Sequence, residues 1–139
     1  MSQLVPKGKA FNRTRQLLLA NELALADSHW SRLRGLLGTS PDDFGNGRGL
    51  WIVPCKGVHT LAMRFAIDVV YLDRDGTVVH IEADLKPWRF APMRLQAASV
   101  LELPSKTVTI TGTVIGDKID ITLQKDGDNQ PGDQHAPSR

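Results

Sequence analysis

Apolar residues fall into short runs separated by glycine, proline and aspartate, a pattern of many brief strands rather than of long helices. Segments 16–20 and 23–26 flank the polar pair Asn21-Glu22 and read as two short strands or one bent strand. Segment 50–53 stops at Pro54, 58–63 continues the strand pattern, and 67–72 is apolar apart from Asp68. Asp73-Arg74-Asp75-Gly76 separates that run from 77–81, which predicts a hairpin whose Gly76 supplies the positive φ of a tight turn. Segments 97–103 and 118–123 predict two more strands. Thr107-Val108-Thr109-Ile110-Thr111 is β-branched, so propensity suggests a strand, with a short turn of helix as the alternative.

Helical periodicity is confined to 29–37, where Trp30, Leu33 and Leu37 stand at i, i+3 and i+7. Asp27 or Ser28 is the N-cap and Gly38 the C′ residue. Segment 41–49, with three glycines and two aspartates, is a loop. The expected fold class is mainly β: a single domain, a small β-barrel or sandwich, carrying one short helix.

The 139 residues suit one core and leave little room for a second. The only apolar residue of 125–139 is an alanine, so 124–139 is expected as a disordered tail. Residues 1–12 are expected as a flexible leader and 13–123 as the domain. No run approaches the length of a membrane-spanning helix, and no apolar core of signal-peptide length follows Lys7 and Lys9, so a cytoplasmic protein without membrane insertion is expected. A single cysteine and four scattered histidines argue against an internal disulfide and a structural zinc site, and no cofactor is implied.

The net charge of +2 invites a nucleic-acid reading. Lys7, Lys9, Arg13 and Arg15 precede the first acidic residue, Glu22, and setting them aside leaves 13 basic against 15 acidic residues. A phosphate-binding face is therefore disfavoured, with a weak adaptor built on this arm and on Arg89 and Arg94 as a lesser alternative.

Several motifs stand in order along the chain. They are Arg32-Leu33-Arg34-Gly35-Leu36-Leu37, Phe65-Ala66-Ile67-Asp68, Asp73 to Gly76, Leu101-Glu102-Leu103 and Gly116-Asp117. Together, from about Leu23 to Leu123, the chain resembles the bacterial and archaeal family called DUF192. It departs from that pattern at Ala66, where the family has proline, and at His59-Thr60-Leu61-Ala62-Met63, where a W-M-K-N-T run is common. The resemblance implies a β-rich fold and brings no assigned reaction.

Cys55 and His59 are the nearby nucleophile and base candidates, and with Asp68 they form the candidate catalytic set of a hydrolase or thiol enzyme. Four residues along an extended strand span roughly 13 Å, so Cys55 and His59 meet only if Gly57 permits a turn. Asp68, inside an apolar run, must find donors, with Arg64, Arg34 or backbone amides as candidates. Glu102 alternates with Leu101 and Leu103 and faces away from them, toward solvent or a cleft. Trp51, His59, Arg64 and Trp88 are candidate ligand-binding residues, and Trp51, Trp88, Phe90 and Met93 can make an aromatic wall or a packed lid over a barrel end. The Asp73 to Gly76 turn lacks the later ligands of a calcium loop. With no phosphate loop, convincing triad or metal set, the favoured function is a non-enzymatic module binding a small ligand or a protein. Ligand identity and oligomeric state stay open.

Overall fold

The computed structural model describes residues 6–26, 45, 47–57 and 65–124. Its elements are β1 (Pro6–Asn12), β2 (Leu17–Ala26), β3 (Arg48–Ile52), β4 (Ile67–Leu72), β5 (Val78–Leu85), β6 (Ser99–Pro104), α1 (Thr107–Thr111) and β7 (Ile119–Leu123). The strands form one sheet in the order β5-β4-β6-β3-β2-β1-β7. Neighbours are antiparallel except β2 and β3, which run parallel.

The two edge strands meet at one end. Thr77 and Lys118 form an antiparallel bridge, Val78 N–H donates to the Asp117 carbonyl at 2.9 Å, and Ile119 N–H donates to the Gly76 carbonyl at 2.9 Å. The sheet is thereby curled into a half-barrel, as the mainly β reading anticipated. At the β4–β5 hairpin Gly76 has φ 80, and Asp73 Oδ1 accepts the N–H groups of Asp75 and Thr77, both at 2.9 Å. The aspartate thus builds the turn that the glycine permits.

Curling buries both faces of the central strands, and β4 and β6 are buried at every position. The inner cluster includes Ala10, Leu19, Leu23, Val70, Leu72, Val78, Leu101, Leu103, Val108 and Ile119, with Trp51, Ile81 and Ile121 packed against it. All seven strands and α1 contribute, which only the concave side of a curved sheet allows. The outer cluster includes Leu50, Ile52, Ile67, Val69, Tyr71 and Val100, covered by Ala91 and Ala97 and flanked by Cys55, Phe65, Val79 and Leu85.

Thr107–Thr111 is a helix, although its β-branched residues favour a strand by propensity. Tertiary contacts override that preference. Val108 is buried in the inner cluster, its N–H donates to Asp68 Oδ2 at 2.9 Å, and Gly112, at φ 69, ends the turn. The helix expected over 29–37 and the strand expected over 58–63 lie outside the described residues, as does 125–139.

Residues 6–12, expected within a flexible leader, form β1 and pair with both β2 and β7. The correction has a backbone cause: a strand inserted between two others is held by hydrogen bonds on both edges and needs few apolar side chains. A Cβ at Gly8 would collide with the Thr122 carbonyl oxygen, so the close approach of β7 demands glycine there. The strand ends on Asn12, which is fully buried and donates through Nδ2 to Thr113 Oγ1 and Asp117 Oδ2, both at 3.0 Å. Asp117 Oδ2 also accepts from Arg15 Nε at 3.0 Å and from Val114 N–H at 3.1 Å. Burial alone would raise the Asp117 pKa, but these bonds and the Arg15 charge hold it below the usual carboxylate range.

Deleting residues 1–12 should therefore abolish cooperative thermal unfolding or lower the midpoint by more than about ten degrees, because β7 loses its sheet partner. A melting curve within about two degrees of the full chain would refute a structural role for β1.

Candidate functional site

Asp68 sits on β4 with its side chain on the inner side and is fully buried. Its two oxygens accept two backbone donors: Oδ1 takes Asp84 N–H at 2.8 Å and Oδ2 takes Val108 N–H at 2.9 Å. Asp84 adopts φ 55, a left-handed conformation that short polar side chains tolerate. Its own carboxylate accepts from Ser105 Oγ at 2.5 Å and from Lys86 Nζ at 2.9 Å. Those hydrogen bonds, Lys86 first, and the nearby lysine charges hold the Asp84 pKa well below its ordinary value. The end of β5 and the start of α1 are thus tied to the centre of the sheet through one carboxylate.

The outer face carries the other ionisable groups. Glu102 and Glu82 lie opposite Val69 from its two sides, and Val100 and His80 lie opposite Tyr71, so the register sets two adjacent rows on one face. Leu50 is the partner of Glu102 on its other side. Glu102 is 5% exposed, and among the described residues no donor reaches its carboxyl. It does not face solvent, one of the two options its alternation left open. Burial pushes its pKa from 4.5 up to about 8, so the group is mostly protonated at neutral pH.

Tyr71 is fully buried, and its hydroxyl donates to the Pro92 carbonyl at 2.6 Å. Burial first, then the Glu82 charge, raises its pKa above the ordinary phenol value, which keeps it a neutral donor. The His80 ring meets Tyr71 edge-on with centroids 5.0 Å apart, and His80 Nε2 lies 2.8 Å from Glu82 Oε1 and 3.4 Å from Arg94 Nη2. One nitrogen cannot both donate to the carboxylate and accept from the guanidinium. The shorter contact assigns the proton to Nε2 and leaves Arg94 facing the ring without an acceptor there. The Cys55 thiol donates to the Gly57 carbonyl at 3.0 Å and packs against the outer cluster.

These positions separate residues that sequence reasoning grouped. Cys55 belongs to the outer face and Asp68 to the inner one, so the two do not converge as a thiol-based catalytic set requires. Trp51 packs against the inner cluster with a buried Nε1 that has no hydrogen-bond partner, whereas Trp88 stands 62% exposed on the β5–β6 loop. They do not form one wall. His59 and Arg64 lie outside the described residues. Tyr71, His80 and Glu82 were missed, Arg94 was named only for a nucleic-acid adaptor, and only the hairpin pairing of β4 with β5, already legible, hinted that Tyr71 and His80 would be neighbours. Among the described residues no cluster of three or more His, Cys, Asp or Glu side chains could hold a metal ion, and no helix is long and apolar enough to cross a membrane.

A single curled sheet with both faces of its central strands buried defines a class of small, mainly β half-barrel proteins. The DUF192 family model, described as an uncharacterized ACR, matches residues 10–121, and the chain belongs to that family. A UPF0127 protein of Thermococcus sibiricus is 27% identical over 120 residues, covering 83% of this chain and 75% of that protein. A UPF0127 protein of Pyrococcus furiosus is 30% identical over 104 residues, covering 71% and 85%. A solved Novosphingobium aromaticivorans protein of unknown function matches with a TM-score of 0.71 at 17% identity, over 84% of each chain. A Sinorhizobium meliloti protein named as a candidate transcription regulator matches with a TM-score of 0.70 at 19% identity, over 87% of this chain and 98% of its own. At those identities the structures share the fold.

Two measurements probe the carboxyls of Asp68 and Glu102. Asp68→Asn replaces one acceptor with a donor facing a backbone N–H and should lower stability by about 1–3 kcal/mol in urea unfolding; an unchanged midpoint would contradict the tie between β5 and α1. Glu102 has a folded-state pKa near 8 against 4.5 for the ordinary group, so its stabilising effect is complete below about pH 4.5 and is lost as pH rises toward 8. Glu102→Gln, which cannot ionise, should remove that decline and exceed the parent by roughly 2–5 kcal/mol at about pH 8.5. Parallel pH–stability curves for the two proteins would rule out a buried ionisable Glu102.

Proposed function

We propose that this protein is a non-enzymatic binding module that docks an acidic, apolar-containing segment of a partner protein on the loop between β5 and β6. The observation that carries the reading is the exposure of four large apolar side chains there: Trp88 at 62%, Phe90 at 72%, Met93 at 73% and Leu95 at 82%.

The backbone beneath them is held. Pro92 accepts from Tyr71, Lys56 Nζ donates to the carbonyls of Leu95 and Ala97 at 2.8 and 2.9 Å, and Arg94 N–H donates to the Lys56 carbonyl at 2.9 Å. Ala91 and Ala97 are buried. Apolar side chains presented on a fixed backbone lose less conformational freedom on binding than those of a free loop, which favours recognition over accidental exposure. Segment 86–97 contains Lys86, Arg89 and Arg94 and no carboxylate, so charge complementarity favours an acidic partner.

The test uses two peptide libraries with the same Leu, Phe and Trp content, one rich in Asp and Glu and one rich in Lys, with binding followed by tryptophan fluorescence. Acidic peptides should bind and basic ones should not. Trp88→Ala with Phe90→Ala should weaken binding at least about tenfold while the thermal midpoint stays within about two degrees. Equal binding of both libraries, or an undiminished affinity in the double variant, would overturn the proposal.

A further inference from the structure

Arg94 stands in the chain between Met93 and Leu95, two of the exposed apolar residues of the β5–β6 loop, and is itself exposed. Its backbone is held on both sides: its N–H donates to the Lys56 carbonyl at 2.9 Å, and its carbonyl accepts from Ala97 N–H at 3.1 Å. The side chain lies against a built support. Contacts run from the Tyr71 hydroxyl to the Pro92 carbonyl, two residues before Arg94, and from Arg94 Nη2 through His80 Nε2 back to the Tyr71 ring. Two lysines nearby in the chain or on the loop are engaged by the fold, Lys56 Nζ with the Leu95 and Ala97 carbonyls and Lys86 Nζ with Asp84 Oδ2. Arg94 instead meets a ring nitrogen whose proton goes to Glu82 Oε1 at 2.8 Å. A guanidinium carries five N–H donors in a fixed fork, so an exposed one resting on a ring edge still offers donors to solvent.

We propose that Arg94 is the receptor for one carboxylate of the docked segment, an Asp or Glu flanked on each side by an apolar residue, and that His80 is its positioning residue. The assignment rests on the docking reading and deepens it. Arg94 takes the carboxylate through two parallel N–H···O bonds while Met93 and Leu95 cover the flanking apolar residues. A guanidinium already placed by its backbone and by the ring loses less freedom on pairing than one on a free loop. The ionisable groups around the His80 ring are Tyr71 of β4, Glu82 of β5 and Arg94 of the loop, with Cys55 beside Tyr71. While the ring is neutral, the Glu82 charge opposes an arriving carboxylate. Protonation of the ring cancels that charge, and imidazole changes its charge between about pH 5 and 8. A bound carboxylate favours the protonated ring, so affinity is highest at low pH and falls as pH rises.

Binding of the capped peptide acetyl-Ser-Phe-Leu-Glu-Phe-Ser-amide and of its Gln counterpart to the full chain, followed by tryptophan fluorescence, tests the assignment in a double-mutant cycle with Arg94→Gln. The Glu peptide should bind the parent at least about fivefold tighter than the Gln peptide. That preference should vanish in Arg94→Gln and survive in part in Arg94→Lys, which keeps the charge without the fork. Affinity for the Glu peptide should rise about threefold from about pH 7 to about pH 5.5, a range in which Glu102 is mostly protonated and the peptide carboxylate stays ionised. The Gln peptide should show no such rise, and His80→Gln should flatten the profile of the Glu peptide. Equal binding of the two peptides by the parent, or an undiminished preference for Glu in Arg94→Gln, would overturn the receptor role and leave the docking surface standing. An unaltered pH profile in His80→Gln would overturn the positioning role. Failure of both peptides to bind the parent would count against the docking reading and remove this assignment with it.

Discussion

The curl of the sheet is the constraint on which the other features depend. Seven short strands laid flat would leave one face in water and two unpaired edges. Bending until Thr77 meets Lys118 joins the edges at one end and creates an inside to which every strand contributes. The same bend makes β4 and β6 buried on both faces, so any polar side chain on them must be satisfied or tolerated. Asp68 and Glu102 are the two carboxyls in that position, and their different fates follow from the face each occupies.

Inside, the chain supplies its own donors. Asp68 receives two backbone N–H groups because α1 and the end of β5 converge on it, and the left-handed turn at Asp84 aims one of them. At the opposite end Asn12 and Asp117 tie β1 to the approach of β7 through a network that includes Arg15 and Thr113. Outside, Glu102 meets Leu50 and Val69 in register, and neither can donate. The rows of one face thus hold the buried Glu102 and a partly exposed His80–Glu82 pair on either side of β4, two electrostatic environments two strand spacings apart.

The β5–β6 loop crosses this outer face and divides its side chains. Ala91 and Ala97 point in, and Trp88, Phe90, Met93 and Leu95 point out. Tyr71 enforces the division, since its buried hydroxyl can be satisfied only if the Pro92 carbonyl comes down to it. The residue that fills the outer core therefore also fixes the loop that presents the exposed aromatics.

The sequence by itself determined the mainly β class, the β4–β5 hairpin with Gly76, and the strand positions at 67–72 and 119–123, because alternation, apolar runs and turn chemistry are local properties. Local properties left Thr107–Thr111 open between strand and helix, and a long-range bond to Asp68 and burial of Val108 make it α1. The low apolar content of 1–12 suggested a loose leader, yet β1 is held by backbone hydrogen bonds on two edges, which composition does not record. For the site, sequence named Asp68 and Cys55 but could not tell that the curl places them on opposite faces. It raised Glu102 without an environment. Whether an alternating carboxyl meets water or hydrocarbon depends on what covers its face, and only the packed sheet, with Leu50 and Val69 brought alongside from distant positions, decided that.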